Sequence, residues 1–191
     1  MRCTILVRRL VLAAICAAAA AAAASDDGGT KARDVGQGAG GQLTDARIAA
    51  VALTANKVDI EAARLAMRKS RNVAVKNYAS EMISDHTSSN KRALELIRTL
   101  GVSPEENELS RSLAQGGQEN LAYLKPLTGR EFDLAYADYE VGYHQQVLGA
   151  LKEKLISGAQ NVELKSLLES VRTLEKGHLE HAESLYESLS K

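Results

Sequence analysis

The four histidines of this chain are its most informative residues. They are His86, His144, His178 and His181, and each falls in an apolar row with the three- or four-residue spacing of a helix. If the helices that carry them pack side by side, the imidazoles meet in one buried layer. A buried cluster of imidazoles is typical of a metal site or of an enclosed hydrogen-bonded network.

Acidic side chains accompany the histidines at the same level. At about 1.5 Å of rise per residue, four side chains lie within roughly 5 Å of the midpoints of their predicted helices, namely Asp59, His86, His144 and His178. Glu140 precedes His144 by one helical turn. Since helices of similar length packed side by side share a midplane, we expect these groups to converge in the core.

Imidazoles and carboxylates together form a ligand set for zinc, iron, manganese or copper. We therefore predict a metal site with the ligands His86, His144, His178, His181, Asp59 and Glu140. Glu175 forms a Glu-x-x-His pair with His178, and such a carboxylate can orient an imidazole. The alternative is a metal-free polar network in a bundle that binds a small ligand or a protein partner. The pattern specifies no reaction, so we expect a binding or stress-protection role rather than an enzyme.

The elements that would position these residues are helical, because no segment alternates with the period of two that a strand requires. Four long helices are predicted, over residues 44–70, 72–100, 130–157 and 161–188. The connection between the second and third contains a shorter helix that starts at the capping box Ser103-Pro104-Glu105-Glu106 and is weakened by Gly116-Gly117. Two hairpins joined by one long connection predict an all-α, ferritin-like four-helix bundle with one crossover.

The beginning of the chain has the features of a secretory signal. Over residues 1–24, three arginines precede an apolar stretch and an alanine run that suits cleavage. Residues 25–42 contain six glycines and are predicted to be a disordered tether. The folded domain is therefore expected over residues 43–191, in a protein that is periplasmic or secreted.

Composition excludes several classes of function. Both cysteines, Cys3 and Cys16, fall inside the predicted signal, so we expect no disulfide and no thiolate ligand. Removing the signal leaves 21 basic and 24 acidic residues, and this balance indicates neither nucleic acid nor an anionic membrane as a partner. The apolar stretch of the signal is short and rich in alanine, so an integral membrane protein is not expected.

Four short motifs resemble a bacterial envelope family, a domain of unknown function with a ferritin-like fold whose members are often labelled outer-membrane proteins. The motifs are Val58-Asp59-Ile60-Glu61, Asp85-His86-Thr87, Gly129-x-x-Phe132-Asp133-x-x-Tyr136 and His178-Leu179-Glu180-His181. The resemblance covers residues 45–189 and implies a secreted helical bundle without an assigned activity. The chain departs from the family at Tyr143, where aspartate is usual, and at Asp59, where glutamate is usual. The bridging glutamates of ferritins are also missing, so di-iron oxidase chemistry is not expected.

Overall fold

The computed structural model describes residues 43–191, so the predicted signal and tether lie outside the described residues. The described chain forms five helices and no strand, as the periodicity predicts. The helices are α1 (Asp45–Lys69), α2 (Val73–Thr99), α3 (Glu108–Leu124), α4 (Gly129–Ala150) and α5 (Val162–Ser190). A π-helical turn, Leu151–Leu155, and a last α-helical turn, Ile156–Gly158, extend α4. No helix between residues 43 and 191 has an apolar stretch long enough to cross a membrane.

Local capping sets most of the helix boundaries. The side chains of Thr44, Asn72 and Asn161 each accept hydrogen bonds from backbone N–H groups in the first turns of α1, α2 and α5. At the end of α2, Gly101 adopts a positive φ of 66°, and the N–H of Val102 donates to the carbonyl of Ile97 at 2.9 Å. This left-handed glycine ends the helix, because other residues adopt that conformation only at a cost.

The helix in the connection starts later than its sequence indicates. It begins after Asn107 rather than at Pro104, so the predicted capping box is wrong. The Asn107 side chain accepts from the N–H of Ser110, and the Ser110 hydroxyl accepts from the N–H of Asn107, which forms the actual capping box. Long-range contacts hold the preceding segment out of the helix. The N–H of Glu105 donates to the carbonyl of Ala46, and its carboxylate pairs with Arg47 at 2.9 Å.

The pair Gly116-Gly117 does not interrupt α3, contrary to the expected weakening. A Cβ atom on Gly117 would lie 2.7 Å from Cγ1 of Val58 on α1, well inside van der Waals contact. The missing side chain therefore lets α3 pack closely against α1, and this close packing accounts for a glycine in the middle of a helix.

A polar layer separates two apolar clusters of the core. The first cluster includes Ala63, Tyr78, Met82, Phe132, Tyr136, Ala182 and Leu185. The second includes Ile48, Val58, Leu113, Val147, Leu151 and Leu168. Along α1, α4 and α5 the residues between these two sets are the buried polar ones, so the functional candidates occupy the middle of the helices. This is the level that the midpoint argument predicts.

Candidate metal centre

Four helices contribute side chains to the polar layer. Its members are Asp59 on α1, His86 on α2, Glu140 and His144 on α4, and Glu175 and His178 on α5. Each of them is at most 2% exposed. The imidazole centroids lie 6.0 Å apart for His86 and His144, 5.1 Å for His86 and His178, and 5.3 Å for His144 and His178. The structure thus brings together five of the six predicted site residues.

His181 is the predicted site residue that lies apart, and its expected place in the core is wrong. Its side chain is 46% exposed, and its Nδ1 atom pairs with Oε2 of Glu81 at 2.8 Å. The buried row of α5 passes through Glu175, His178 and Ala182, and this row leaves His181 at the edge of the helix. The sequence pattern assigned His181 to the core, but alanine fills that core position.

The Nδ1 atoms of two imidazoles are held by acceptors. Nδ1 of His144 lies 2.8 Å from Oε2 of Glu175, and Nδ1 of His86 lies 2.9 Å from Oδ1 of Asn56. The amide nitrogen of Asn56 donates to Asn90 at 2.9 Å, so its oxygen is the atom that faces His86. Both imidazoles therefore carry a proton on Nδ1, and Nε2 is the ring nitrogen that the protein leaves without a hydrogen-bond partner. An acceptor on one ring nitrogen commonly fixes a metal-binding histidine in this way.

The two free Nε2 atoms face two carboxylates. Nε2 of His86 lies 3.0 Å from Oδ2 of Asp59, and Nε2 of His144 lies 3.5 Å from both Oδ2 of Asp59 and Oε2 of Glu140. We call these four groups the inner pocket. None of the carboxylate oxygens, and neither Nε2 atom, has a hydrogen-bond partner among the described residues. Six buried polar atoms without partners in one layer are rare in a folded protein.

In the inner pocket, burial and the charges of neighbouring groups shift the pKa values of the carboxylates and the imidazoles. Burial alone would raise the pKa of Asp59, but the charges of His86 and His144 lower it below its ordinary value. Burial would lower the pKa values of both imidazoles, but the carboxylates raise them, that of His144 to about 10. Burial, reinforced by the charge of Asp59, raises the pKa of Glu140 to about 7. Without an ion, the centre therefore holds protons that a divalent cation would displace.

Comparison with known proteins gives a family but no activity. The model of a family described as Domain of unknown function (DUF4142) matches residues 30–185, most of the chain. The chain belongs to this family. No curated protein matches the chain, and no solved structure does. The resemblance found in the sequence is thereby confirmed for a domain of unknown function.

In this DUF4142 domain, His178 lies beside the inner pocket rather than in it. Its Nε2 atom pairs with Oδ2 of Asp85 at 3.1 Å, and its buried Nδ1 atom has no partner among the described residues. Burial lowers its pKa, so the imidazole is neutral and can bind an ion. Ligand atoms of His86, His144, Glu175 and His178 lie within 4.8 Å of one another and form a second buried ligand set.

Sequence reasoning left three contributors to the DUF4142 centre out of the ligand set. Glu175 was expected only to orient an imidazole, although the buried row of α5 includes it. Asn56 holds His86, and nothing in the local sequence singles it out. The buried hydroxyl of Tyr136 lies near Glu140, and burial, together with the charge of Glu140, raises its pKa so that the phenol stays neutral. By contrast, the Tyr143 hydroxyl donates to the carbonyl of Ala55 at 2.7 Å, which fixes α4 against α1.

Proposed function

We propose that this protein binds one divalent transition-metal ion in the inner pocket. Asp59, Glu140, and the Nε2 atoms of His86 and His144 are the ligands, and Glu175 and Asn56 orient the imidazoles. The observation that carries this proposal is the convergence of six buried, unpartnered donor atoms from three helices. Burying a carboxylate without a partner costs several kcal/mol, and a bound cation offsets that cost.

The donor chemistry narrows the choice of ion. Ligand atoms of Asp59, Glu140 and His144 lie within 4.8 Å of one another, and Nε2 of His86 lies 3.0 Å from Oδ2 of Asp59. Imidazole and carboxylate ligands of this kind suit zinc, iron and manganese. Copper(II) also accepts nitrogen and oxygen ligands, whereas copper(I) prefers sulfur, and the inner pocket contains none. We therefore place iron, manganese and zinc ahead of copper as the occupant.

A metal-free network is the alternative, and the close pair of His144 and Glu175 at 2.8 Å favours it in part. In such a network, protons on His86 and His144 would balance the carboxylates. However, Nε2 of His86 lies 3.0 Å from Oδ2 of Asp59, whereas a proton on Nε2 of His144 would find its acceptors, Oδ2 of Asp59 and Oε2 of Glu140, only at 3.5 Å. A network that depends on this proton should align it, because a partly satisfied buried network destabilises the fold. The geometry fits a shared ion better.

The proposal also includes the topology of the bundle and the compartment of the protein. α1 packs against α2, and α4 packs against α5, while α3 lies in the connection between the two pairs. This order supports a ferritin-like four-helix bundle with one crossover, a fold in which ligands project inward from facing helices. With the predicted signal at residues 1–24, we propose that the protein is periplasmic or secreted and binds metal in a binding or stress-protection role.

Elemental analysis of untagged protein and a chelator experiment test the proposal together. In the wild type we expect one ion per chain and a lower melting temperature after chelation. His144→Ala should lose the ion and respond little to chelator. Val147→Ala, one turn further along α4, removes buried apolar atoms and should keep both the ion and the chelator response. A wild type with no stoichiometric ion and no response to chelator would leave the polar network as the correct interpretation.

A further inference from the structure

A second group of metal-ligating side chains lies at the edge between α2 and α5. Glu81 and Asp85 are one turn apart on α2, and they face His178 and His181, one turn apart on α5. Nδ1 of His181 lies 2.8 Å from Oε2 of Glu81, and Nε2 of His178 lies 3.1 Å from Oδ2 of Asp85. We call these four residues the outer cluster.

The outer cluster leads from solvent into the core. The side chains of His181 and Glu81 are 46% and 42% exposed, that of Asp85 is 35% exposed, and that of His178 is 2% exposed. Ligand atoms of Glu81, Asp85 and His178 lie within 4.8 Å of one another, so one ion could contact all three. The buried His178 also has an unpartnered Nδ1 atom, so its interior side is free to take a ligand.

Three ligand sets overlap along this line. His178 belongs both to the outer cluster and to the buried set with Glu175, His86 and His144. His144 belongs both to that set and to the inner pocket with Asp59 and Glu140. An ion that moves from one set to the next therefore keeps at least one ligand in common at each step. By contrast, the inner ligands Asp59, Glu140 and His144 have no exposed surface of their own.

We infer that the outer cluster is a loading site, where a divalent cation first binds before ligand exchange through His178 carries it to the inner pocket. This inference rests on the proposed metal-binding function. Only coordination bonds change along the route, and the ion keeps its oxidation state. The outer cluster binds more weakly than the inner pocket, because its ligands are partly solvated and compete with water.

The competing interpretation is that the outer contacts are ordinary surface ion pairs, which contribute little to stability and nothing to binding. The double variant Glu81→Gln/His181→Gln separates the two interpretations, because both side chains are partly exposed and lie outside the inner pocket. Glu180→Gln is the matched control. Glu180 is adjacent to His181, is exposed, and pairs with Lys176 at 3.7 Å on the same helix, outside the outer cluster.

The experiment follows Co²⁺ added to metal-free full-length protein by stopped flow, with the visible absorption of the bound ion as the signal. We expect the double variant to load at least about tenfold more slowly than the wild type. Charged side chains at the entrance of a site raise the association rate of an ion of opposite charge by about that factor or more. The final absorption and the equilibrium affinity should stay within about twofold of the wild type. Asp85→Asn, which leaves His178 without its carboxylate, should slow loading as well. Glu180→Gln should load like the wild type.

Three results of the Co²⁺ loading experiment would overturn the loading site, and they differ in what they imply for the inner pocket. Equal loading rates in all proteins would overturn the loading site while leaving the inner pocket intact. Loss of equilibrium binding in the double variant would show that the outer residues hold the ion, which also overturns a loading role. A wild type that takes up no Co²⁺, Zn²⁺ or Fe²⁺ would overturn the proposed function and the loading site together.

Discussion

Replacing Glu140 by glutamine should stabilise the metal-free protein and should reduce the further stabilisation that metal provides. Burial and the charge of Asp59 raise the pKa of Glu140 from 4.5 to about 7. At about 1.4 kcal/mol per pH unit, ionising Glu140 therefore costs the metal-free fold on the order of 3 kcal/mol. Because the folded pKa is raised, the carboxyl group destabilises the fold progressively from pH 4.5 to pH 7, and by a constant amount above pH 7.

The expected result follows from removing that charge at nearly constant shape. In the presence of chelator at pH 8, Glu140→Gln should be more stable than the wild type by up to about 3 kcal/mol, and at pH 4 the difference should vanish. With metal at about a thousand times its dissociation constant, the wild type gains about 4 kcal/mol. A variant that binds at least about 100-fold more weakly gains only about 1.4 kcal/mol. Urea unfolding followed by circular dichroism measures the free energy of unfolding of the wild type and of the variant under each of these conditions.

Two outcomes would contradict this reasoning. A metal-free Glu140→Gln variant that is less stable than the wild type at pH 8 would mean that the protein already compensates the carboxylate. Equal stabilisation of both proteins by metal would mean that Glu140 is not a ligand. Glu187→Gln, an exposed change on α5, is the control for general effects of charge and should change neither measurement.

Three further results are expected. Because the carboxylates raise the pKa values of His86 and His144, metal binding should release protons from these imidazoles and weaken as pH falls. Calorimetry in buffers of different ionisation enthalpy measures the release, and a value near zero would mean that the imidazoles are already neutral in the metal-free protein. Glu175→Gln keeps an acceptor for Nδ1 of His144 but loses its charge, so metal affinity should fall about 10- to 100-fold while the fold is retained; unchanged affinity would remove Glu175 from the centre. Gly117→Ala should destabilise the protein by about 1–3 kcal/mol in thermal unfolding, and Val58→Ala should partly rescue it, unless the α1–α3 contact relaxes without cost.

The features that local chemistry determines could be predicted from the sequence. The helix starts at Thr44, Asn72 and Asn161 follow from side chains that bond to backbone groups two or three residues away. The level of the polar layer follows from helix lengths alone, so the convergence of His86 and His144 could be predicted without knowledge of packing angles. Both arguments are independent of long-range contacts.

The features that long-range packing determines could not be predicted. The start of α3 depends on contacts of Glu105 with the beginning of α1, which the local capping pattern does not contain. The inward face of α5 is shifted by about one position from the apolar row that includes His181, and this shift buries Glu175. A buried glutamate in an otherwise solvated pattern looks like a surface residue until its partner on another helix is known. The same error placed His181 in the core.

The polar layer lies between two apolar clusters, and this position affects the stability of the metal-free fold. Aliphatic residues at these positions would join the two apolar clusters into one core, and replacing buried ionic groups by apolar ones is often neutral or stabilising. The layer therefore makes the metal-free fold less stable than the chain could achieve. A cation that bridges Asp59, Glu140 and the two imidazoles offsets this loss only when it is bound. Occupancy and stability are then linked, so the protein without its ion should unfold more readily than the protein that holds it.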